Sequence, residues 1–142
     1  MPVSIQIMTE EDYEHITALW SSVPGVGLSA ADSKENIARY LERNPGLSFV
    51  AFDAGKLIGA VLCGHDGRRG YIHHLAVEPS YRRQGIGKAL VARCFMSLQL
   101  AGIDKCHLFV FTANQNAQSF WKEIGWSHRT DLVVMSSHTQ NL

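Results

Sequence analysis

The stretch Tyr81-Arg82-Arg83-Gln84-Gly85-Ile86-Gly87-Lys88-Ala89-Leu90 constrains this chain more than any other part of it. It follows an apolar run, Tyr71 to Val77, that reads as a strand, and it opens a helix extending to about Leu100. A strand that turns through glycines into a helix leaves the first helical amides at the strand's end. Those amides have no intrahelical partner, and the helix dipole favours negative charge beside them. Gly85 and Gly87 let a ligand approach the backbone with no Cβ in the way. Arg82, Arg83 and Lys88 add cations. The ligand implied by this combination is a phosphate.

Two familiar phosphate patterns fail here. A P-loop needs two glycines separated by four residues and then Lys-Ser or Lys-Thr, whereas Gly85 and Gly87 are two apart and Ala89 follows Lys88. The dinucleotide fingerprint needs a third glycine where this chain has Leu90.

The 142 residues fit one domain, 1–142, with enough chain to bury a core. Formal net charge is zero, so neither a nucleic-acid stripe nor a polybasic membrane patch is expected. Cys63, Cys94 and Cys106 are odd in number and irregularly spaced, which fits neither a disulfide framework nor a zinc site. Buried thiols in a reducing cytosol are expected, and no metal. Met1-Pro2-Val3 carries no basic leader, and no window approaches the roughly 20 apolar residues of a membrane span. A cytoplasmic protein is the expectation.

Along the chain, Val3 to Met8 reads as a strand, and Thr9 with Asp12 as a capping box for a helix to about Ser22. Ser33 caps a second helix, stopped by Asn44-Pro45-Gly46. Leu47 to Phe52 and Leu57 to Cys63 form a hairpin around Asp53-Ala54-Gly55-Lys56. Tyr71 to Val77 is the fourth strand and Lys105 to Phe111 the fifth, with a helix over Asn114 to Ile124. Trp126 to Arg129 and Leu132 to Met135 read as a final short pair. The class is α/β (α+β), with a mixed, mostly antiparallel sheet of six to seven strands and helices on both faces.

Leu75-Ala76-Val77-Glu78-Pro79 followed by Arg82 to Lys88 resembles motif A of the GNAT N-acetyltransferases. Downstream, Asn114, Ala117, Phe120, Trp121, Gly125 and Trp126 resemble the family's second signature, so the likeness runs from the first strand to Trp126. It implies a GNAT fold splayed between strands four and five, with acetyl-CoA as co-substrate and an amine as acceptor. The amine is a small amine, an amino acid or a protein N-terminus, and the alternative is a CoA-binding module without turnover. The resemblance implies that Arg82, Arg83, Gln84, Gly85, Ile86, Gly87 and Lys88 hold the pyrophosphate. It also implies that backbone groups of Leu75, Ala76 and Val77 bind pantetheine, with the Val77 N–H polarising the acetyl carbonyl. Asn114 binds the pantetheine arm or caps its helix; Phe120 contacts the ligand or packs the helix. Nucleic acid and membrane are not expected partners, and the assembly is a monomer or a homodimer.

Acetyl transfer requires a neutral amine, and at a pKa of ~10.4 only roughly one lysine-like amine in a thousand is neutral at pH 7. Strand alternation puts Tyr71, His73, Leu75 and Val77 on one face and His74 on the other. His73 stands where arylalkylamine N-acetyltransferases carry one catalytic histidine. Tyr71 stands at the second, where histone acetyltransferases place a glutamate. His73 is therefore a base or water-organising residue, or a strand histidine bonded to a neighbour. Trp121 departs from the family: many relatives carry a tyrosine there as general acid, and indole cannot give up a proton near neutral pH. Trp121 then walls the pantetheine tunnel. Phe109 replaces the glutamate base of the ribosomal-protein N-terminal acetyltransferases. The resemblance implies acceptor contacts from Trp20, Val23 to Leu28, Tyr40, Trp126 and His128; Asp32, Glu35 and Glu42 either offer carboxylates to a polycationic acceptor or lie on solvated helix surface.

Overall fold

The computed structural model describes residues 3–141. Its contacts fall into two compact units, Met1–Phe109 and Val110–Leu142. In the first, β1 (Ser4–Ile7) leads through a 3-10 turn into α1 (Tyr13–Ser22). A second 3-10 turn, Ala30–Asp32, precedes α2 (Lys34–Arg43). Then come β2 (Phe49–Asp53), β3 (Lys56–His65), β4 (Gly70–Val77), a 3-10 turn at Pro79–Tyr81, α3 (Ile86–Leu100) and β5 (Cys106–Leu108). The sheet order is β1-β2-β3-β4-β5, antiparallel as far as β4, with β5 parallel to β4.

β3 is apolar along most of its length because helices cover both of its faces. Under α1 and α2 lie Val50, Ala60, Leu62 and Ala76, packed against Ile16, Leu19, Trp20 and Ile37. The spacing of Ile16, Leu19 and Trp20 is one helical stripe. On the opposite face α3 buries Leu90, Val91, Cys94 and Leu98. Gly59 permits this contact, since a Cβ there would stand 3.2 Å from Leu90 Cδ1. The caps follow the sequence: Asp12 Oδ2 accepts from the Thr9 N–H at 2.9 Å and Ser33 Oγ from the Asn36 N–H at 3.2 Å. Among the described residues no helix is long and apolar enough to cross a membrane.

Two departures from regular pairing shape β4. Ala60 faces Ala76 while Leu62 faces His73, so β4 carries one more residue than β3 between those pairs. That extra residue makes a bulge, and His74 within it adopts φ 53°. On the other side, β5 pairs only from Gly70–Cys106 to Ile72–Leu108, while β4 continues to Val77.

In the second unit, α4 spans Gln115–Glu123, and Asn114 Oδ1 accepts from the Ala117 N–H at 3.1 Å. The expected final strand pair at Trp126 to Arg129 and Leu132 to Met135 is absent, so the described residues form five strands rather than six to seven. A lone two-stranded hairpin is marginal in water, and this unit supplies no third strand. Leu132, Val133, Val134 and Met135 are consecutive apolar residues, all at least 60% exposed, with no alternation that would give a strand one face to bury. Arg129 instead makes a bidentate ion pair with Asp131, at 2.9 and 2.8 Å.

Candidate active site

The loop between β4 and α3 is built to present amides. Tyr81 ends the 3-10 turn before it, and its hydroxyl donates to Asp53 Oδ2 at 2.6 Å, tying the turn to the end of β2. Arg83 and Gly85 both take the left-handed conformation, at φ 62° and 79°. Gly85 is the N-cap of α3, and a Cβ there would meet open space. The α3 ladder begins with the Ala89 N–H donating to Gly85 O at 3.0 Å, so the amides of Ile86, Gly87 and Lys88 precede it. Arg82, Arg83, Gln84 and Lys88 are exposed around this cradle and Ile86 is buried beneath it. The group that suits it is an anion able to accept from several N–H donors.

Leading into the cradle is an unpaired edge. After Ile72, β4 has no β5 partner. The Glu78 N–H donates to Ile58 O at 2.8 Å, across β3. Backbone directions alternate along a regular strand, so beyond the bulge the Ala76 backbone faces β3 and the Val77 amide faces away from it, toward the edge without a β5 partner. Val77 O confirms its direction by accepting from Arg82 Nε at 3.4 Å. An extended ligand with amide groups could pair along this edge while its anionic end rests at Gly85.

The model of the acetyltransferase (GNAT) family matches residues 13–126. The chain belongs to this family.

Its curated relatives include an acetyltransferase of Sodalis glossinidius, 29% identical over 94% of this chain and 93% of that one. Another, from Photorhabdus laumondii, is 34% identical over 76% and 75% of the two chains. The fold is shared with the PaiA N-acetyltransferase of Thermoplasma acidophilum, solved with coenzyme A (TM-score 0.75, 23% identity, 89% and 91% coverage). It is also shared with the aminoglycoside acetyltransferase AAC(6')-Iy, solved with the bisubstrate analogue CoA-S-monomethyl-acetylneamine (TM-score 0.76, 19% identity, 97% and 99% coverage). The protein is an acyltransferase of the GNAT fold.

In this acetyltransferase the β4 histidines do not alternate. His73 meets Tyr40 of α2 at 6.4 Å and Phe109 at 6.4 Å between ring centroids. His74 meets Trp20 of α1 at 5.0 Å. Both rings therefore lie on the α1–α2 side, 6.3 Å apart, because the bulge turns His74 back to the face it would otherwise leave. Beyond the bulge it is Ala76, rather than Leu75, that joins the cluster under α1 and α2, so Tyr71, His73, Leu75 and Val77 do not share one face. The left-handed conformation costs a residue with a Cβ about 1–2 kcal/mol.

His73 is half-buried, and burial, aided by the His74 charge, holds its pKa below the ordinary histidine value, against a smaller opposing pull from Asp32. With Tyr71 it lines a hollow of about 190 Å³ shared with Tyr40, Arg43, Asn44 and His65. His74 Nε2 lies 2.9 Å from Asp32 Oδ1. Asp32 is 9% exposed, so it is not on solvated helix surface. Its Oδ2 accepts from the Ser29 N–H at 3.0 Å, closing a capping box around the Ala30–Asp32 turn. Trp20 is fully buried, which places it in the core against His74 rather than on an acceptor surface.

Asn114, Phe120 and Trp121 lie in the second unit. Asn114 caps α4, and Trp121 packs edge-on against Phe120 at 5.1 Å and Trp126 at 5.0 Å. Strand periodicity does not foresee the Asp32–His74 contact. The available signal was the adjacent His73-His74 pair, since two polar neighbours in a half-buried strand fit a bulge better than strict alternation.

Proposed function

We propose that the whole chain, 1–142, acts as one catalytic domain that moves the acetyl group of acetyl-CoA directly onto a primary amine, carried by a small amine, an amino acid or a protein N-terminus. The observation that carries this reading is the continuity of the unpaired β4 edge, from His73 to Val77, with the amide cradle at Gly85. Pantetheine fits the edge as a surrogate strand, and the pyrophosphate fits the cradle, with Arg82, Arg83 and Lys88 as counter-charges. The outward Val77 N–H is the donor for the thioester carbonyl as it gains negative charge. The CoA complex of PaiA and the CoA-linked aminoglycoside on AAC(6')-Iy support a donor of this kind and an amine acceptor. His73, kept neutral by burial, is available to accept a proton or order water at neutral pH. With Trp121 where many relatives have tyrosine, the thiolate leaves without a tyrosine acid, which a thiol pKa of ~8.5 permits.

Calorimetry with acetyl-CoA and CoA, paired with free-thiol release over a panel of primary amines, tests the reading. The wild-type protein should bind both nucleotides and release thiol with at least one amine class. Gly87→Glu sets a carboxylate on the first turn of α3, and two like charges about 4 Å apart near a protein surface repel by roughly 4 kcal/mol. Affinity for acetyl-CoA should therefore fall by about tenfold or more. Absence of binding heat in a folded sample, or equal affinity in Gly87→Glu, rules the proposal out.

A further inference from the structure

The Asp32–His74 contact has the build of a working dyad, and its interpretation rests on the acetyl-transfer reading above. Both Asp32 oxygens are engaged, Oδ1 at His74 and Oδ2 at the Ser29 N–H, and its main-chain oxygen accepts from the Tyr13 hydroxyl at 2.8 Å. The carboxylate is thus held by two contacts, and the Asp32 backbone by a third. An ionised carboxylate only accepts, so His74 Nε2 must be the donor and the neutral ring keeps its lone pair on Nδ1. The ring is set in this pose by a left-handed residue inside a bulge, a conformation that recurs where a strand re-aims a side chain at a functional site. The His74 side chain retains 18% exposure, its ring rests edge-on against Trp20, and it sits at the start of the unpaired β4 edge. Its titratable neighbours are Asp32, in the turn before α2, and His73 beside it on β4; Tyr13 of α1 donates to the Asp32 backbone, and Tyr40 of α2 faces His73.

We propose that His74 Nδ1 accepts the proton of the acceptor ammonium, and that Asp32 is the positioning residue that fixes the ring for this transfer. The ammonium gives one proton to Nδ1. The freed amine lone pair forms the C–N bond at the thioester carbonyl. Collapse breaks the C–S bond and its electron pair stays on sulfur. The second amine proton passes through solvent to the thiolate, giving free CoA, and the imidazolium returns its proton to solvent. The reactants are acetyl-CoA and the ammonium, and the products are the amide, CoA and one proton.

The test follows thiol release from acetyl-CoA with a panel of primary amines across about pH 5.5 to 9, in wild type, His74→Gln, His73→Gln, Asp32→Asn and Asp32→Glu. Removal of a general base costs roughly a hundredfold or more. His74→Gln should lose that much kcat and the rising limb of the kcat/KM profile, with acetyl-CoA affinity unchanged by calorimetry. Asp32→Asn should lower kcat at unchanged KM, and Asp32→Glu should recover part of it. Nitrogen NMR of the wild-type protein, which needs neither acceptor nor variant, should show His74 protonated at Nε2 and bare at Nδ1. A His74→Gln enzyme within about twofold of wild type, a pH limb that vanishes in His73→Gln instead, or a proton found on Nδ1 overturns the proposal while leaving acetyl transfer standing. Tight acetyl-CoA binding with no amine-dependent thiol from the wild type overturns both.

Discussion

Gly64→Ala is the substitution whose outcome the geometry around His73 fixes most tightly. A Cβ at Gly64 would overlap Tyr40 Oη and lie 2.8 Å from both Cγ and Nδ2 of Asn44. Tyr40 stacks edge-on against His73, and both Tyr40 and Asn44 line the hollow beside it. Asn44 is not free to swing away: Oδ1 accepts from the His65 N–H at 3.1 Å and Nδ2 donates to Tyr40 O at 3.3 Å. Overpacking of this kind costs about 1–3 kcal/mol, and losing one Asn44 bond adds about 1 kcal/mol. For a chain of this length each kcal/mol moves the melting temperature by about 3–5 °C, so a loss of about 2–4 kcal/mol should make Gly64→Ala melt roughly 6–20 °C lower. Tyr40→Phe keeps the ring and deletes the overlapping atom. A double-mutant cycle by calorimetric melting should give a coupling of about 1 kcal/mol in the direction of rescue. A Gly64→Ala protein within about 2 °C of wild type, or a cycle with no coupling, would show that Tyr40 and Asn44 are not held as described, and the packing argument for His73 would fall with them.

His73 gives a pH prediction with a definite sign. Its folded pKa is depressed by burial, so the unfolded chain binds the proton more readily. The stability it protects is present above the ordinary histidine value of ~6.5 and lost as pH falls through the lower folded value. Urea midpoints for His73→Gln minus wild type should therefore change across that acid window and stay flat above it; a flat difference throughout would contradict the burial. In the core, Leu90 is fully buried beneath Gly59, and Leu90→Ala should cost about 2–5 kcal/mol in urea unfolding with an unchanged m-value. A loss under about 1 kcal/mol would mean that α3 is not seated on β3 at that point.

Much of the fold was legible because its signals are local and physically strong. The Thr9 and Ser33 caps, the glycine-ended turn before β2 and the loop of Gly85 each depend on a few adjacent side chains whose conformational limits are nearly independent of the rest. The amide cradle was readable for the same reason: a glycine at φ 79° opening an apolar-striped helix is written in neighbouring letters. The length of β5 was not readable. Phe109 and Phe111 have strand-forming side chains, yet both are 62% exposed and outside the strand, since pairing ends where the β4 bulge begins to turn the partner edge away. Ladder termination is a property of two strands together, and neither sequence states it alone. The absent final pair has the same origin, because Leu132 to Met135 carry β-propensity without the partner that would make it count.

The bulge at His74 shows why side-chain directions can be misread in a strand whose place in the fold is read correctly. Alternation is a reliable rule only while two strands advance in step, and one inserted residue reverses every assignment beyond it. Here the insertion falls in the middle of the strand that carries the candidate chemistry. It puts two adjacent imidazoles on one face, in unlike settings: one among Tyr40 and Phe109, the other against the Asp32 carboxylate. The Asp32 carboxylate is within hydrogen-bond distance of His74 and acts on His73 only through space, more weakly than the burial that holds the His73 pKa down. That difference follows from which atoms face which histidine, and it depends on residues 32 and 74, whose distance in sequence hides a separation of 2.9 Å.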